Sequence, residues 1–183
     1  RLRAARIEDG VIEARASEPS SPDAQVVLSR VLDLVAKVRT PEVAVLGIGV
    51  PGQVHAKTRR ILSGGYVNLS GVDFAAEVEA ATGLRVTVEN DATMALLGEA
   101  AHGAAKGLRN VVMLTIGTGI GGAILDDGRV LRGGGAAGQL GHLCIDPFGR
   151  DCVCGRVGCV ETVSSGTAFA THLAEAGLPA DTR

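Results

Sequence analysis

The stretch HLCIDPFGRDCVCGRVGCVE, residues 142–161, organises the rest of the chain. It holds one histidine and three cysteines in the spacing H-x9-C-x-C-x4-C: His142, Cys152, Cys154 and Cys159. Three thiolates and one imidazole are a common tetrahedral ligand set for zinc, and glycines around the cysteines let the backbone turn tightly about an ion. Four protein ligands leave no open position for water or substrate, so we predict a structural Zn²⁺ rather than a catalytic one.

Two other interpretations of the cysteines stay open at this point, namely small core residues and a labile disulfide. Cys152 and Cys154 are one residue apart in a polar, glycine-rich stretch, which favours metal binding in a reducing compartment. Cys144 is a separate case. It is flanked by Leu143 and Ile145, so we predict that it packs in the core.

The composition bounds the class of protein. The chain has 183 residues and a formal net charge of −2, with very few aromatic side chains. The charge gives no basic footprint, so we expect no nucleic-acid binding through this segment. No apolar run approaches the roughly 18 residues of a membrane span, and no signal peptide opens the chain. We therefore expect a cytoplasmic protein with no membrane partner.

Alternating apolar runs and helical patterns predict an α/β fold. Asp-Gly pairs at residues 9–10 and 127–128 each predict a hairpin. One predicted helix begins at Asp23 and ends before Pro41. Three others cover residues 74–82, 92–102 and 161–176. Runs at 43–50, 84–88 and 110–116 predict buried strands, the first buried on both faces. Residues 59–69 and 133–141 are predicted loops.

A glycine-rich run, LTIGTGIGG at residues 114–122, follows the third predicted strand. Backbone N–H groups of such glycines can approach phosphate oxygens. A hairpin rather than a helix follows, and no Gly-Lys-Ser/Thr is present, so neither the dinucleotide fingerprint nor the Walker loop fits. A tight turn without a ligand is the alternative.

Further polar candidates stand at predicted strand and loop ends. Glu89, Asn90 and Asp91 end a strand and run into a helix, where Asp91 is either a helix cap or a general base beside a hydroxyl ligand, Asn90. Gln139 lies between glycine-rich segments, and Glu161 follows the last cysteine by two residues. Both are placed to face a cleft.

Together these motifs resemble the ROK family of repressors, open reading frames and sugar kinases. The resemblance runs from about residue 2 to residue 170 through, in order, GIGVPGQV, ENDAT, TIGTGIGGAI, GQLGH and CVCGRVGCVET. It implies an actin-like ATPase (ribonuclease H-like) fold of two lobes with a zinc-binding loop. Residues 1–107 would form the sugar-binding side of the N-terminal lobe, and residues 108–183 the start of the C-terminal lobe.

The resemblance also implies roles for individual residues. Asp91 matches the aspartate that takes the proton of the attacking sugar hydroxyl, and His142 a histidine that binds both zinc and sugar. The other implied sugar ligands are Asn90, Gln139 and Glu161, with Asn68 and Gly65 near the pocket. The implied phosphate-binding residues of the second lobe are Gly117, Thr118, Gly119, Gly121 and Gly122.

The implied activity is ATP-dependent, Mg²⁺-assisted phosphorylation of a hexose hydroxyl, of glucokinase or fructokinase type, in a homodimer. Two departures qualify it. The family's Glu-x-Gly-His reads Gln139-Leu140-Gly141-His142 here. Its Asp-x-Gly-Gly-Thr phosphate motif, expected before Arg1, is absent, as is the adenosine-side segment expected after about residue 170. We therefore expect a fragment that is inactive on its own.

The alternative is a sugar-responsive repressor of the same family. Residues upstream of Arg1 would discriminate the two, because a kinase carries Asp-x-Gly-Gly-Thr there and a repressor a helix-turn-helix.

Overall fold

The computed structural model describes residues 1–63 and 67–179. The chain divides into two compact units, Arg1–Met94 and Ala95–Arg183, each of which combines helices with strands. The predicted α/β class is therefore confirmed, whereas the predicted lobe boundary near residue 107 stays a prediction. No helix within the described ranges is long and apolar enough to cross a membrane.

In its described residues, the first unit contains three pairs of strands and two complete helices. Its elements are β1 (Leu2–Glu8), β2 (Val11–Glu18), α1 (Ala24–Val38), β3 (Val45–Val50), β4 (Gln53–His55), β5 (Arg60–Ser63), α2 (Phe74–Thr82), β6 (Arg85–Asn90) and the first residues of α3 (Asp91–His102). Strands β1 and β2 pair antiparallel, as do β4 and β5, while β3 and β6 pair in parallel. The β3–β6 connection contains α2, the kind of crossover that parallel strands need.

The parallel pair positions the first group of candidate residues. Val50, the last residue of β3, pairs with Asn90, the last residue of β6, so the carboxyl ends of both strands meet at one edge. Such edges are where α/β folds place ligands. Beneath them, apolar residues of α1, α2 and the strands form one core, with Val78, Val86 and Val88 at most 2% exposed.

The second unit contains an antiparallel sheet and a long irregular segment. Its elements are the remainder of α3, β7 (Val111–Ile116), β8 (Ile120–Asp126), β9 (Arg129–Val130), two 3₁₀ turns (Gly133–Gly135 and Leu140–His142), α4 (Glu161–Ser164) and α5 (Gly166–Glu175). The sheet has the order β7-β8-β9. Leu96 of α3, Ala123 and Leu125 of β8 form its core.

Local signals predicted several boundaries correctly. The Asp23 carboxylate accepts hydrogen bonds at the start of α1, and Asp73 does the same for α2, which ends at Gly83 in the left-handed region. Both Asp-Gly pairs have positive φ and form hairpin turns. These features depend on neighbouring residues only, so the sequence was sufficient to predict them.

Two of the three predictions of buried strands were wrong about burial, whereas the run 84–88 does bury Leu84, Val86 and Val88. Strand β3 alternates between partly covered and exposed residues, with Val45 54% exposed, and is not covered on both faces. Strand β7 likewise exposes Val112, Leu114 and Ile116. The exposed positions of both runs are apolar or glycine, and the polar Thr115 lies on the partly covered face of β7, so no polar alternation marks the exposed faces.

Two predicted boundaries were also wrong. Residues 59–69, predicted as a loop, contain β5, in which Ile61 is buried against the first core. The predicted helix over 161–176 is two helices, because Ser165 has extended backbone angles and its hydroxyl accepts a hydrogen bond from the N–H of Ala168. Serine competes for backbone hydrogen bonds in this way, and here it caps α5.

Candidate functional site

The four predicted metal ligands come together in the second unit. The ligand atoms of His142, Cys152, Cys154 and Cys159 all lie within 4.8 Å of one another. Nδ1 of His142 lies 3.5 Å from Sγ of Cys152, and Sγ of Cys154 lies 3.6 Å from Sγ of Cys159. Sulfurs at about 2.3 Å from a tetrahedral zinc stand about 3.8 Å apart, whereas a disulfide needs about 2 Å. These separations fit four ligands around one ion, and the cysteines are unpaired thiols.

The pKa values of two of these thiols move in opposite directions. Burial raises the pKa of Cys159 to about 12, and hydrogen bonding with Cys154 and Cys152 adds to the rise. Burial also acts to raise the pKa of Cys154, but hydrogen bonds from the backbone and side chain of Arg156 outweigh it and lower that pKa to about 7. Of these two thiols Cys154 ionises at the lower pH, and thiolate is the form that binds metal.

Backbone hydrogen bonds close the loop around this cluster. The N–H of Ile145 donates to the carbonyl of Gly158 at 2.8 Å, and the N–H of Cys152 donates to that of Arg156 at 2.8 Å. Cys144 pairs with Cys159 across an isolated antiparallel bridge. The prediction that Cys144 packs in the core is wrong, since its side chain is exposed. Its apolar neighbours Leu143 and Ile145 are themselves exposed, so they provide no core there.

The 3₁₀ turn that carries His142 packs on the start of β8. A side chain at Gly141 would clash with the carbonyl oxygen of Ile120, so only glycine allows this approach. Gln139 precedes the turn and is partly exposed. Within the ranges that the structure covers, its side-chain amide has no protein hydrogen bond, which leaves it available to a ligand.

Residues 117–119, here called the glycine turn, connect β7 to β8, since Ile116 pairs with Ile120. Two of their carbonyl groups accept from α5: the N–H of Gly166 donates to the Gly117 oxygen at 2.7 Å and the Thr167 hydroxyl to the Thr118 oxygen at 2.9 Å. The Gly119 oxygen accepts from the N–H of Gly117 at 2.9 Å. Among the described residues, nothing accepts from the N–H groups of Thr118 and Gly119. Two such donors suit a phosphate oxygen.

The other two predicted phosphate residues lie elsewhere. Gly121 and Gly122 are inside β8, opposite Thr115 and Leu114. Gly122 packs against the backbone of Gly138, which by itself accounts for a small residue there. Their contact with phosphate stays a prediction.

Glu161 is the first residue of α4, yet its carboxylate bonds to another element. Oε2 accepts a hydrogen bond from the N–H of Ile120 at 2.7 Å. The carboxylate therefore touches the end of the glycine turn, a contact between residues 41 positions apart in the sequence.

Asn90 and Asp91 lie in the first unit, at the carboxyl end of β6. Oδ1 of Asn90 accepts from the N–H of Thr93 at 3.0 Å, and its Nδ2 donates to the carbonyl of Gly52 at 2.9 Å. Asn90 is thus the residue that caps α3 and ties β6 to the break after β3. Asp91 is exposed, and its recorded hydrogen bonds, from Ala92 N–H and Asn90 Nδ2, both reach Oδ1.

The remaining predicted sugar-site residues are Asn68 and Gly65. Asn68 is exposed and forms a local turn, in which its Oδ1 accepts from the N–H and the hydroxyl of Ser70 at 3.1 and 2.6 Å. Gly65 lies outside the described residues. Asn68, Asn90 and Asp91 therefore belong to the first unit, and the other described candidates belong to the second.

Sequence reasoning missed three residues that contact these sites. Gly166 and Thr167 hold the glycine turn, and Arg156 hydrogen-bonds to Cys154. Arg156 stands inside the cysteine motif, so proximity could have indicated it. Gly166 and Thr167 follow Ser165, whose capping role was the available signal.

Comparisons with known proteins bear on what these sites do. A family model described as "ROK family" matches residues 4–183. A glucokinase of Halalkalibacterium halodurans is 42% identical over 129 residues, which cover 68% of this chain and 38% of that protein. An N-acetylmannosamine kinase of Salmonella typhimurium is 36% identical over 178 residues, or 93% of this chain and 60% of that protein. The chain thus spans about half the length of these relatives.

Solved structures agree on the family. A ROK family glucokinase from Streptomyces griseus, in complex with glucose and AMPPNP, has a TM-score of 0.85 and 34% identity, covering 93% of this chain and 56% of that one. A ROK family transcriptional regulator, homologous to the E. coli MLC protein, has a TM-score of 0.75 and 32% identity, covering 94% and 47%. The matched residues, the shared fold and the identity to both kinases show that the chain belongs to the ROK family.

Proposed function

We propose that this chain is the sugar-binding and part of the phosphate-binding portion of an ATP-dependent hexose kinase. The observation that carries the proposal is the arrangement at the start of α3. Asn90 supplies the helix cap through its bond with the Thr93 N–H, so Asp91 is not needed for that purpose. An exposed carboxylate at the carboxyl end of a strand is placed to act on a ligand.

In this proposal Asp91 is the general base. Its Oδ1 is held by the Ala92 N–H at 2.9 Å and the Asn90 amide at 3.2 Å, while among described residues no group donates to Oδ2. That oxygen would accept the proton of the sugar hydroxyl as the hydroxyl attacks the γ-phosphorus of ATP. Phosphoryl transfer depends mainly on positioning and charge stabilisation, so one oriented carboxylate supplies the acid–base chemistry needed.

The sugar would be held by directional polar groups. We propose Asn90, Gln139, His142 and Glu161 as ligands, with Asn68 and Gly65 near the pocket. His142 turns Nδ1 toward Cys152, which leaves Nε2 for a sugar hydroxyl. The amide of Gln139 offers one donor group and one acceptor, where charged glutamate would accept only.

The glycine turn would bind phosphate through the N–H groups of Thr118 and Gly119, with Gly117, Gly121 and Gly122 keeping the backbone accessible. We assign no residue of this chain to Mg²⁺, which binds largely through nucleotide phosphates and would neutralise their developing charge.

The cysteine loop would hold a structural Zn²⁺. The donor separations of 3.5 and 3.6 Å support this, as does the mixture of three sulfurs and one imidazole. Bound zinc would fix the loop, and with it the orientation of the His142 ring and the start of α4.

An assay of phosphoryl transfer tests the proposal. The full-length protein, zinc-loaded, is incubated with ATP, Mg²⁺ and each of glucose, fructose, mannose and N-acetylmannosamine, and ADP and sugar phosphate are both quantified. We expect sugar phosphate equal to ADP with at least one sugar. ATP hydrolysis without sugar phosphate, or no turnover with any of these sugars, would contradict it.

A sugar-responsive repressor is the second candidate, favoured by the likeness to a ROK family transcriptional regulator. The discriminating observation is the sequence upstream of Arg1, which would hold Asp-x-Gly-Gly-Thr in a kinase and a helix-turn-helix in a repressor. Sugar-sensitive binding to operator DNA, without phosphoryl transfer, would establish the second candidate.

Compartment and assembly are further proposals. Unpaired thiols with metal-ligand spacing and the use of ATP support a cytoplasmic protein. The family resemblance suggests a homodimer, which sedimentation analysis of the full-length protein would test.

A further inference from the structure

The side chain of Glu161 connects the loop of residues 142–161, here called the metal loop, to the glycine turn. Glu161 lies two residues after the ligand Cys159, and its Oε2 accepts from the N–H of Ile120, the first residue after the turn, at 2.7 Å. A side chain at Gly119 would clash with the same oxygen. The carboxylate therefore packs directly against the turn as well as bonding to its end.

Two carbonyl groups of the glycine turn are bonded separately, by residues of α5. Gly166 and Thr167, at the start of α5, bond to the carbonyls of Gly117 and Thr118. Within the turn, the N–H of Gly117 donates to the Gly119 carbonyl at 2.9 Å. At the β8 end, Glu161 is the side chain that accepts from the Ile120 N–H. The backbone next to Glu161 is tied to the loop, since the N–H of Val160 donates to the Leu143 carbonyl at 2.9 Å.

We propose that Glu161 is a positioning residue that couples occupancy of the metal loop to the shape of the glycine turn. This role is additional to contact with sugar. With the loop closed around its ion, the start of α4 is fixed and Glu161 holds the Ile120 N–H. With the loop open, Ile120 loses its acceptor and the N–H groups of Thr118 and Gly119 lose their orientation. The metal thereby affects the phosphate side of the site, although it touches no phosphate.

Amide hydrogen exchange at Ile120, followed by nuclear magnetic resonance, tests the coupling directly. Four zinc-loaded proteins are compared: wild type, Glu161→Gln, Glu161→Ala and Glu175→Ala. Glutamine keeps an acceptor oxygen, so we expect exchange within about twofold of wild type, whereas alanine leaves the N–H unpaired and speeds exchange about tenfold or more. Glu175→Ala removes a carboxylate that contacts Arg150 instead of the turn, and should leave Ile120 unchanged.

Metal removal supplies the second arm. Chelation of the wild-type protein should also speed exchange at Ile120 about tenfold, and should add little in Glu161→Ala, where the link is already lost. Unchanged exchange at Ile120 after chelation would overturn the proposal, even if Glu161→Ala failed to fold.

The identity of the phosphate ligand rests on the proposed kinase function, whereas the coupling does not. In an active enzyme the KM for ATP should rise about tenfold in Glu161→Ala and return close to the wild-type value in Glu161→Gln. A wild-type protein without transferase activity would refute the kinase, and the exchange measurements would still decide the coupling. An unchanged KM for ATP in Glu161→Ala would show that the link does not reach the nucleotide.

Discussion

Oδ1 of Asn90 accepts a hydrogen bond from the backbone N–H of Thr93 at 3.0 Å, so Asn90 caps α3. The sequence alone left open whether the neighbouring Asp91 was the cap or a base. The cap bond belongs to Asn90, and Asp91 is the first helical residue, with an exposed side chain. The capping alternative for Asp91 therefore loses its main support.

This assignment predicts unequal costs in stability. Asn90→Ala removes the cap and the bond to the Gly52 carbonyl, and should lower the free energy of unfolding by about 1–2 kcal/mol. Asp91→Asn keeps an acceptor oxygen and should change it by less than about 0.5 kcal/mol. Urea denaturation of the two variants measures both values. Equal losses would return the capping role to Asp91.

If the metal loop binds zinc, substitution of Cys159 and substitution of Cys144 should differ sharply in their effect on zinc binding. Cys159 is fully buried in the ligand cluster, so Cys159→Ser should abolish binding of zinc. It should also destabilise the protein by about 4 kcal/mol, or about 10 °C in Tm for a chain of this size. Cys144→Ser is the matched control, because Cys144 pairs opposite Cys159 but is exposed and outside the cluster.

Elemental analysis of purified protein never exposed to chelator should find one zinc per chain in wild type and in Cys144→Ser. Protein that folds and contains no metal would refute the assignment of the loop.

Removing the metal should also weaken sugar binding. His142 contributes Nδ1 to the cluster, so its ring orientation depends on the closed loop. We expect chelation to weaken hexose binding at least tenfold, measured by calorimetry without nucleotide, and added zinc to restore it. Binding that survives full metal removal would show that His142 and the loop do not shape the sugar pocket.

Gln139 should affect which sugar is preferred. Its side chain has no protein partner in the described part of the chain, and Gln139→Glu replaces a donor with a negative charge. We expect the affinity ratio between glucose and N-acetylmannosamine to change about fivefold or more. Gln25→Glu is the matched control, because Gln25 is an exposed glutamine of α1 outside the candidate sites. Identical affinities for every hexose would place Gln139 outside the pocket.

The sequence predicted what depends on neighbouring residues. The caps at Asp23 and Asp73, the two Asp-Gly turns and the clustering of the four candidate metal ligands all depend on short spacing or local backbone chemistry. Short spacing along one glycine-rich loop was enough to predict that the four donor atoms lie within reach of one ion.

Contacts between residues far apart in the chain could not be predicted from the sequence. The bond from Ile120 to Glu161 and those from α5 to the glycine turn depend on how β8, the metal loop and the helices pack. The same holds for burial of β3 and β7, because the exposed positions of both runs carry no polar residue, and the polar Thr115 of β7 lies on the partly covered face. Cys144 has apolar neighbours, yet those neighbours are exposed too.

The most direct test of the central claim is the turnover of Asp91→Asn in the full-length protein, measured together with sugar affinity. If Asp91 takes the proton from the attacking hydroxyl, kcat should fall by about 10²–10⁴-fold, while the Kd for the hexose stays within about threefold of wild type. A kcat near the wild-type value, with sugar binding intact, would contradict the account and leave Asp91 a surface residue at the start of α3.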